Sequence, residues 1–322
     1  MLADTSENKN DSGKPYEVIN FKNIKLIGGL HTLHLRDKNK ETVPFFKYFS
    51  FYARRYKLFT YKYSEGVKVY SLKSSLFKYF NFIYPKNKNE QIKIVDCLFK
   101  LDGKFDILKQ KIKILKQYKK GLTHKLLKKT IIAWINRDFS NTIKLKDILF
   151  EHKEYSIKKG NYVHVTLSKE GILLKNQRYN RDFLVKNNFK KYKITKKWDI
   201  CYNPANLKFG VITLNKYGDG IFSPIYITFS ISELINKEYL ISLLQDQNFI
   251  NYSIKFEEGT VYERRAVSVI DFLNIHLVLD NKELQFKYGE ILEKIDQLIL
   301  IHNSLIQLLI KSKSYLMKNM FI

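Results

Sequence analysis

Cysteine, proline and acidic side chains are scarce in this sequence of 322 residues. The two cysteines, Cys97 and Cys201, lie far apart without metal-ligand spacing, which argues against a disulfide framework and a cysteine-based zinc site. No apolar run approaches the length needed to span a bilayer, so we predict no transmembrane helix and no membrane partner. The first 15 positions are polar, unlike a signal peptide. These absences favour a reduced, cytoplasmic protein.

The charge of the chain is strongly positive. Lys and Arg number 57 against 31 Asp and Glu, which gives a formal net charge of +26. Such a balance favours a polyanionic partner, with nucleic acid ahead of an anionic membrane surface. Only eight of the cations are arginine, and a lysine-rich composition also follows from an A/T-rich genome. Charge by itself therefore leaves the DNA interpretation open.

An internal repeat with a period of about 194 residues organises the sequence. Glu65-Gly66 recurs as Glu258-Gly259, followed in both places by a similar apolar patch. Further along, the matched residues are Gln91, Leu98 and Asp102 against Gln285, Leu292 and Asp296. Each copy is predicted to contain an aromatic-rich short helix, a glycine turn, a strand-like segment ending at Tyr84-Pro85 or Leu277-Val278, and a long helix.

The two long helices have the heptad pattern of a coiled coil. We predict the first over Gln91 to Lys128 and expect the two to pack antiparallel. His302 falls on the same seam, where we interpret it as a core position. The predicted interface residues are Ile94, Leu98, Leu101, Phe105, Leu108, Ile112, Leu115, Leu292, Ile295, Ile299, Ile306 and Leu309.

The repeat predicts an α+β protein in four segments. Residues 1–85 form the C-terminal part of a first domain, 86–130 a central helix, 142–280 a complete second domain, and 281–322 a C-terminal helix. An equivalent first domain would start about 50 residues before Met1, so we expect a truncated first domain. In the second domain, alternation and composition predict strands at Tyr162–Leu167, Tyr192–Tyr202 and Phe209–Leu214, and a helix at Lys237–Ile250.

Several motifs in this order resemble a known family. They are Tyr84-Pro85, Glu90-Gln91, Leu101-Asp102, Lys119-Lys120-Gly121-Leu122, Trp198-Asp199-Ile200, Tyr202-Asn203-Pro204, Gly210 and Ser223-Pro224-Ile225-Tyr226. The sequence resembles the specificity subunits of type I restriction-modification systems. That resemblance implies two target-recognition domains of mixed α/β structure, each reading half of a split target in double-stranded DNA, with a helical spacer between them.

The resemblance also implies partners. Two methyltransferase (modification) subunits would bind the helices and carry S-adenosylmethionine, while this chain would bind no cofactor and no metal. An ATP-dependent restriction (translocase and nuclease) subunit and self-association of truncated copies are left open.

Clustered cations in the second domain are the predicted DNA contacts. Arginine can grip guanine through two hydrogen bonds, whereas lysine more often holds phosphate. The preferred base readers or close backbone clamps are Arg178, Arg181, Arg264 and Arg265, and the predicted phosphate contacts are Lys158, Lys159, Lys190, Lys191 and Lys208. The amides of Asn176, Gln177 and Asn206 are weaker candidates for adenine.

Catalysis is not predicted for this chain. The segment Tyr202-Asn203-Pro204-Ala205 matches only the first half of the loop with which amino-methylating DNA methyltransferases hold a flipped base, and no glycine-rich cofactor loop accompanies it. His31 and His34 lack further ligands nearby, so no metal site is predicted. Two alternatives to the DNA-reading function stay open at this point: a non-catalytic coiled-coil dimerisation protein whose charge reflects genome composition, and an inactive fragment of a specificity subunit.

Overall fold

The structure is a computed structural model, and it describes residues 1–18, 25, 27–36, 40–157, 162–169, 171–175, 191–258 and 266–320. It is an α+β protein, as the sequence predicts. The chain divides into two compact units, Met1–Ile112 with Leu300–Ile322, and Lys113–Ile299. We call them the first and the second unit. Each contains part of both long helices, and the division into four sequence segments stays a prediction.

The helices include two that are far longer than the rest. Both follow from the apolar heptad pattern, which gives each helix a continuous face to bury. The described α-helices are α1 (Phe46–Ser50), α2 (Arg54–Tyr63), α3 (Lys88–Asn136), α4 (Lys237–Leu244), α5 (Gln247–Ser253), α6 (Val269–Leu273) and α7 (Lys282–Asn319).

Helix α3 continues eight residues past Lys128, where the sequence predicts its end. The added turns pack on the second unit. Trp134 Nε1 donates to the carbonyl of His276 at 2.8 Å, and the Thr130 hydroxyl accepts from the Val278 N–H at 2.9 Å. The predicted end was wrong because tertiary contacts extend the helix beyond its heptad pattern.

Helices α3 and α7 pack together. Within the second unit, Lys119 contacts Asp296 at 2.6 Å, and Lys129 contacts Asp280, just before α7, at 3.2 Å. The partner's number falls as the α3 number rises, so the helices are antiparallel there. Within the first unit, Lys313 contacts Asp102 at 2.6 Å. The two interhelical ion pairs obey the repeat, since both the aspartates and the lysines are 194 positions apart.

Reversing the charge of Asp296 should destabilise the second unit. Asp296→Lys would place two ammonium groups at a half-buried contact, and we expect a loss of about 1–2 kcal/mol in the free energy of unfolding. The double variant Lys119→Asp/Asp296→Lys should recover most of the loss in urea titrations. Glu290→Lys, at the exposed Glu290–Lys294 pair, is the control and should change little. If Asp296→Lys and Glu290→Lys lowered the free energy of unfolding equally, the interhelical pair would have no special role in stability.

The second unit contains two larger sheets. The five-stranded one has the order Tyr155–Ile157, Lys191–Thr195, Gly220–Phe222, Val163–Ser168, Gly171–Leu174, and its third and fourth strands are parallel. The four-stranded one has the antiparallel order Ile212–Leu214, Ile200–Tyr202, Ile227–Ile231, Leu149–Glu151. Two short pairs join Glu257–Glu258 to Ala266–Val267, and Ile143–Lys144 to His276–Leu277.

Two strand predictions in this unit were too long. Tyr192–Tyr202 is two strands in different sheets, because the chain turns at Trp198, which has φ +74°. The Asp199 carboxylate closes that turn by accepting from the Lys196 N–H at 2.6 Å. Within Phe209–Leu214, only Ile212–Leu214 is a strand, since a 3-10 helix occupies Pro204–Phe209.

The helix predicted over Lys237–Ile250 is two helices, α4 and α5. Asp246 separates them, and its carboxylate accepts from the Asn248 N–H, which makes it the N-cap of α5. Asp favours such a capping position over a helix interior. Apolar residues continue at helical spacing on both sides of the break, which is why periodicity alone did not predict it.

The first unit has little sheet. Strand Leu2–Ala3 pairs with Thr32–Leu33, and Thr5–Ser6 pairs with Tyr70–Ser71. The strand-like segment predicted to end at Tyr84-Pro85 has no strand in the structure, whereas its repeat counterpart, His276–Leu277, pairs with Ile143–Lys144. The first copy lacks such a partner among the described residues.

The repeat is visible in the arrangement of the short helices. Helix α2 begins 193 residues before α5, and α1 precedes α2 as α4 precedes α5. Buried aromatic residues recur at the same spacing, with Phe46 matching Tyr239 and Tyr56 matching Phe249. The internal repeat inferred from sequence is therefore a repeat of structure. In the described residues no helix is long and apolar enough to span a membrane.

Candidate functional site

Most of the predicted DNA contacts fall outside the described residues. These are Lys158, Lys159, Arg178, Arg181, Lys190, Arg264 and Arg265, together with Asn176 and Gln177. Of the remaining three, Lys191 is exposed at the start of a strand, Asn206 is exposed in the 3-10 helix Pro204–Phe209, and Lys208 lies with its Nζ 5.3 Å from the ring centroid of Phe209. Their role in binding DNA stays a prediction.

The predicted interface residues line the faces of α3 and α7 as a seam requires. Ile94, Leu98, Ile112, Leu292, Ile295 and Ile306 are buried, and Leu101, Phe105, Leu108, Leu115, Ile299 and Leu309 are half-buried. His302 is also half-buried on this seam. The sequence pattern therefore located the packed face of each helix.

A buried glutamine attaches each long helix to the unit in which the helix begins. In the first unit, Gln91 accepts from the Val43 N–H at 2.8 Å and donates to the carbonyls of Pro85 and Glu41 at 2.7 and 3.2 Å. In the second unit, Gln285 accepts from the Asn236 N–H at 3.3 Å and donates to the Asp280 carbonyl at 2.7 Å. The two glutamines are 194 residues apart, so the junction between helix and domain is built twice.

Both long helices also carry apolar side chains on an exposed face. On α7, Ile301, Leu305, Leu308 and Tyr315 follow heptad spacing within the first unit, and Ile301 and Leu308 are 54% and 58% exposed. The repeat equivalents of Ile301 and Leu308 on α3 are Ile107 and Ile114, which are exposed as well. We call these two sets the outer rows. Exposed apolar rows of this kind mark surfaces that bind other proteins.

One cluster of titratable side chains lies in the second unit, around the turn at Asp199. His152 Nε2 lies 2.9 Å from Asp199 Oδ2, and the Thr195 hydroxyl lies 3.2 Å from Cys201 Sγ. Burial raises the pKa of the Cys201 thiol, which keeps it protonated and out of reach of a substrate. The cluster serves to hold a turn, and its chemistry does not suit nucleophilic catalysis.

The loop that partly matches a methyltransferase motif is also packed into the fold. Tyr202 is buried in its strand and its hydroxyl donates to the Val267 carbonyl at 3.3 Å, while Pro204 opens the following 3-10 helix. Among the described residues there is no group of three or more His, Cys, Asp or Glu side chains suited to a metal ion.

Comparison with solved structures defines the fold. The structure of the type I restriction-modification S subunit from M. genitalium matches with a TM-score of 0.56 at 17% sequence identity, over 86% of this chain and 72% of that one. The chain has the fold of a type I S subunit. Comparison of the sequence gives no match, either with a family model or with a curated protein.

A second S-subunit structure is less similar. The HsdS subunit from Thermoanaerobacter tengcongensis matches with a TM-score of 0.46 at 10% identity, over 89% of this chain and 72% of that one.

Signals for some of these features are present in the sequence. Two glutamines at equivalent positions of the repeat indicate a shared buried hydrogen-bonding role. The outer row on α7 is visible as a second heptad series beside the seam. Both signals become visible only when the repeat and the heptad register are considered together.

Proposed function

We propose that this chain is the specificity subunit of a type I restriction-modification complex, which reads a bipartite sequence in duplex DNA and performs no chemistry. The duplicated junction carries this proposal, because the glutamine anchor and the interhelical ion pair each occur twice at one spacing. A frame built twice suits a target in two halves, each half bound modestly and both together tightly. The S-subunit fold and the net charge of +26 support the same conclusion.

The outer rows are the proposed docking surfaces for two modification subunits. Their number follows from the repeat, which presents one equivalent apolar pair on each long helix. S-adenosylmethionine would be bound by those subunits, and a restriction subunit would join the complex through them. Such a complex would act in the cytoplasm, where the DNA is.

Selection from a random duplex library tests the reading function. With the full chain and its modification subunits, bound sequences should share two short motifs separated by a fixed number of base pairs. The proposal would be refuted if no motif were enriched and the complex bound the selected sequences no more tightly than random duplex. A motif without a fixed gap would show that only one half reads sequence.

Charges on the outer row of α7 should strongly weaken docking of the modification subunit that binds this helix. We expect Ile301→Asp/Leu308→Asp to weaken co-purification at least about tenfold, because two carboxylates would have to be buried against apolar side chains. The melting temperature should not fall, since both side chains are exposed. Asn303→Asp/Gln307→Asp, at exposed polar positions of the same helix away from the outer row, is the matched control. Undiminished complex formation by the first variant would place the docking surface elsewhere.

A further inference from the structure

A basic cleft lies in the second unit beside α3. It has a volume of about 410 Å³ and is lined by Lys116, Lys119 and Lys120 of α3, with Lys169 from the turn after strand Val163–Ser168. Asp246 is the one acidic side chain among its described lining residues, and its carboxylate is engaged in capping α5. We call this the second cleft. Its lining therefore has a clear excess of positive charge.

A similar cleft lies in the first unit, between α2 and α7. It has a volume of about 400 Å³, and its cations are Arg54 and Lys57 of α2 with Lys313 and Lys318 of α7. No acidic side chain is among its described lining residues. We call this the first cleft.

The two clefts occupy the same place in the repeat. Lys119 of the second cleft and Lys313 of the first are 194 residues apart, and each contacts the aspartate of the opposite long helix. On the other wall, Arg54 and Lys57 correspond to Gln247 and Ile250 at a spacing of 193. The cations lie mainly on the α3 wall in the second cleft and on both walls in the first, so the shared property is positive charge at this place.

Most of these cations lack acidic partners. Among the residues that the structure describes, no ion pair is formed by Lys116, Lys120 or Lys169 in the second cleft. The same holds for Arg54, Lys57 and Lys318 in the first cleft. Long cationic side chains gathered without counter-charges repel one another and favour an anion between them. Their equivalent positions in the repeat give each half of the protein one such place.

We propose that both clefts bind phosphate groups of the duplex backbone. The proposal rests on the function proposed above and assigns the phosphate contacts to residues other than those predicted from sequence. Lysine acts as a point charge that holds phosphate without reading bases, so the clefts would set affinity and register and leave target choice to other residues. Each neutralised phosphate would release condensed counterions, which makes the contribution measurable through salt.

Salt titration of duplex binding tests the clefts. Affinity of the full chain for a random-sequence duplex is measured by fluorescence anisotropy across salt concentrations for Lys116→Ala/Lys120→Ala and for Arg54→Ala/Lys57→Ala. Each double variant should reduce the salt slope of log K by about one to two and weaken binding about tenfold. Lys116→Arg/Lys120→Arg should retain both quantities.

The matched control is Lys125→Ala/Lys128→Ala, which removes two exposed lysines from α3 outside the cleft. The proposal would be overturned by an unchanged salt slope in the cleft variants, or by an equal change of slope in the control. Either result would leave the duplex binding of the wild type, and with it the proposed function, intact. Loss of modification-subunit binding at an unchanged slope would likewise overturn it and assign the clefts to a protein partner. Sequence selection with the wild type tests the proposed function separately.

Discussion

Phe272→Ala should lower the free energy of unfolding of the second unit by about 3–5 kcal/mol. Phe272 is fully buried, and its ring stacks on Tyr202 at 4.7 Å and on Phe229 at 5.7 Å between centroids. Phe249 meets its edge at 6.0 Å. Truncation would remove a large apolar surface and leave a cavity among three rings that cannot collapse, because each belongs to a different strand or helix. Urea denaturation followed by circular dichroism measures the loss.

Phe209→Ala is the control for this variant. The Phe209 side chain is 62% exposed at the end of a 3-10 helix, and its truncation should cost less than about 1 kcal/mol. A loss below 2 kcal/mol for Phe272→Ala would mean that the aromatic stack is not the centre of this core.

Gln91→Ala should destabilise the first unit by about 2–4 kcal/mol, since it leaves a backbone N–H and two carbonyls without their buried partner. The side chain is fully buried, and two of its three hydrogen bonds attach the start of α3 to the residues before α1, while the third holds the Pro85 carbonyl just before α3. Thermal unfolding and hydrogen exchange at Val43 would both report the change. Protection of the Val43 amide should fall most, because its acceptor is removed.

Two further variants sharpen this experiment. Gln285→Ala should have a similar but smaller effect on the second unit, because Gln285 makes two such bonds where Gln91 makes three. Gln110→Ala, at an exposed position on α3, is the control and should be close to neutral. If Gln91→Ala were as mild as Gln110→Ala, the glutamine would not anchor the helix.

The contrast between confirmed and wrong elements has one physical cause. The two long helices and their packing together were predicted correctly because a heptad pattern is local and repeats many times. The break at Asp246 and the turn at Trp198 were missed because each depends on a single residue, and no repeating pattern marks it. The added length of α3 was missed because Trp134 reaches a carbonyl far along the chain.

The same distinction between local pattern and folded structure applies to the candidate site. The sequence indicated a polyanionic partner and the repeat indicated two equivalent halves. It could not show that Lys116 and Lys120 share a cleft with Lys169, since strand and helix meet there only after folding. Nor could it show that Arg54 and Lys57 line one cleft with Lys318, because α2 and α7 come to that cleft only in the folded first unit.

Sequence by itself determined the charge of this protein, its internal repeat and the seam of each long helix, because composition and periodicity are properties of neighbouring residues. Only the tertiary structure decided where helices end, which glutamines are buried and which cations lie together. Those features depend on contacts between residues far apart in the chain, and such contacts form only when the apolar faces have been packed.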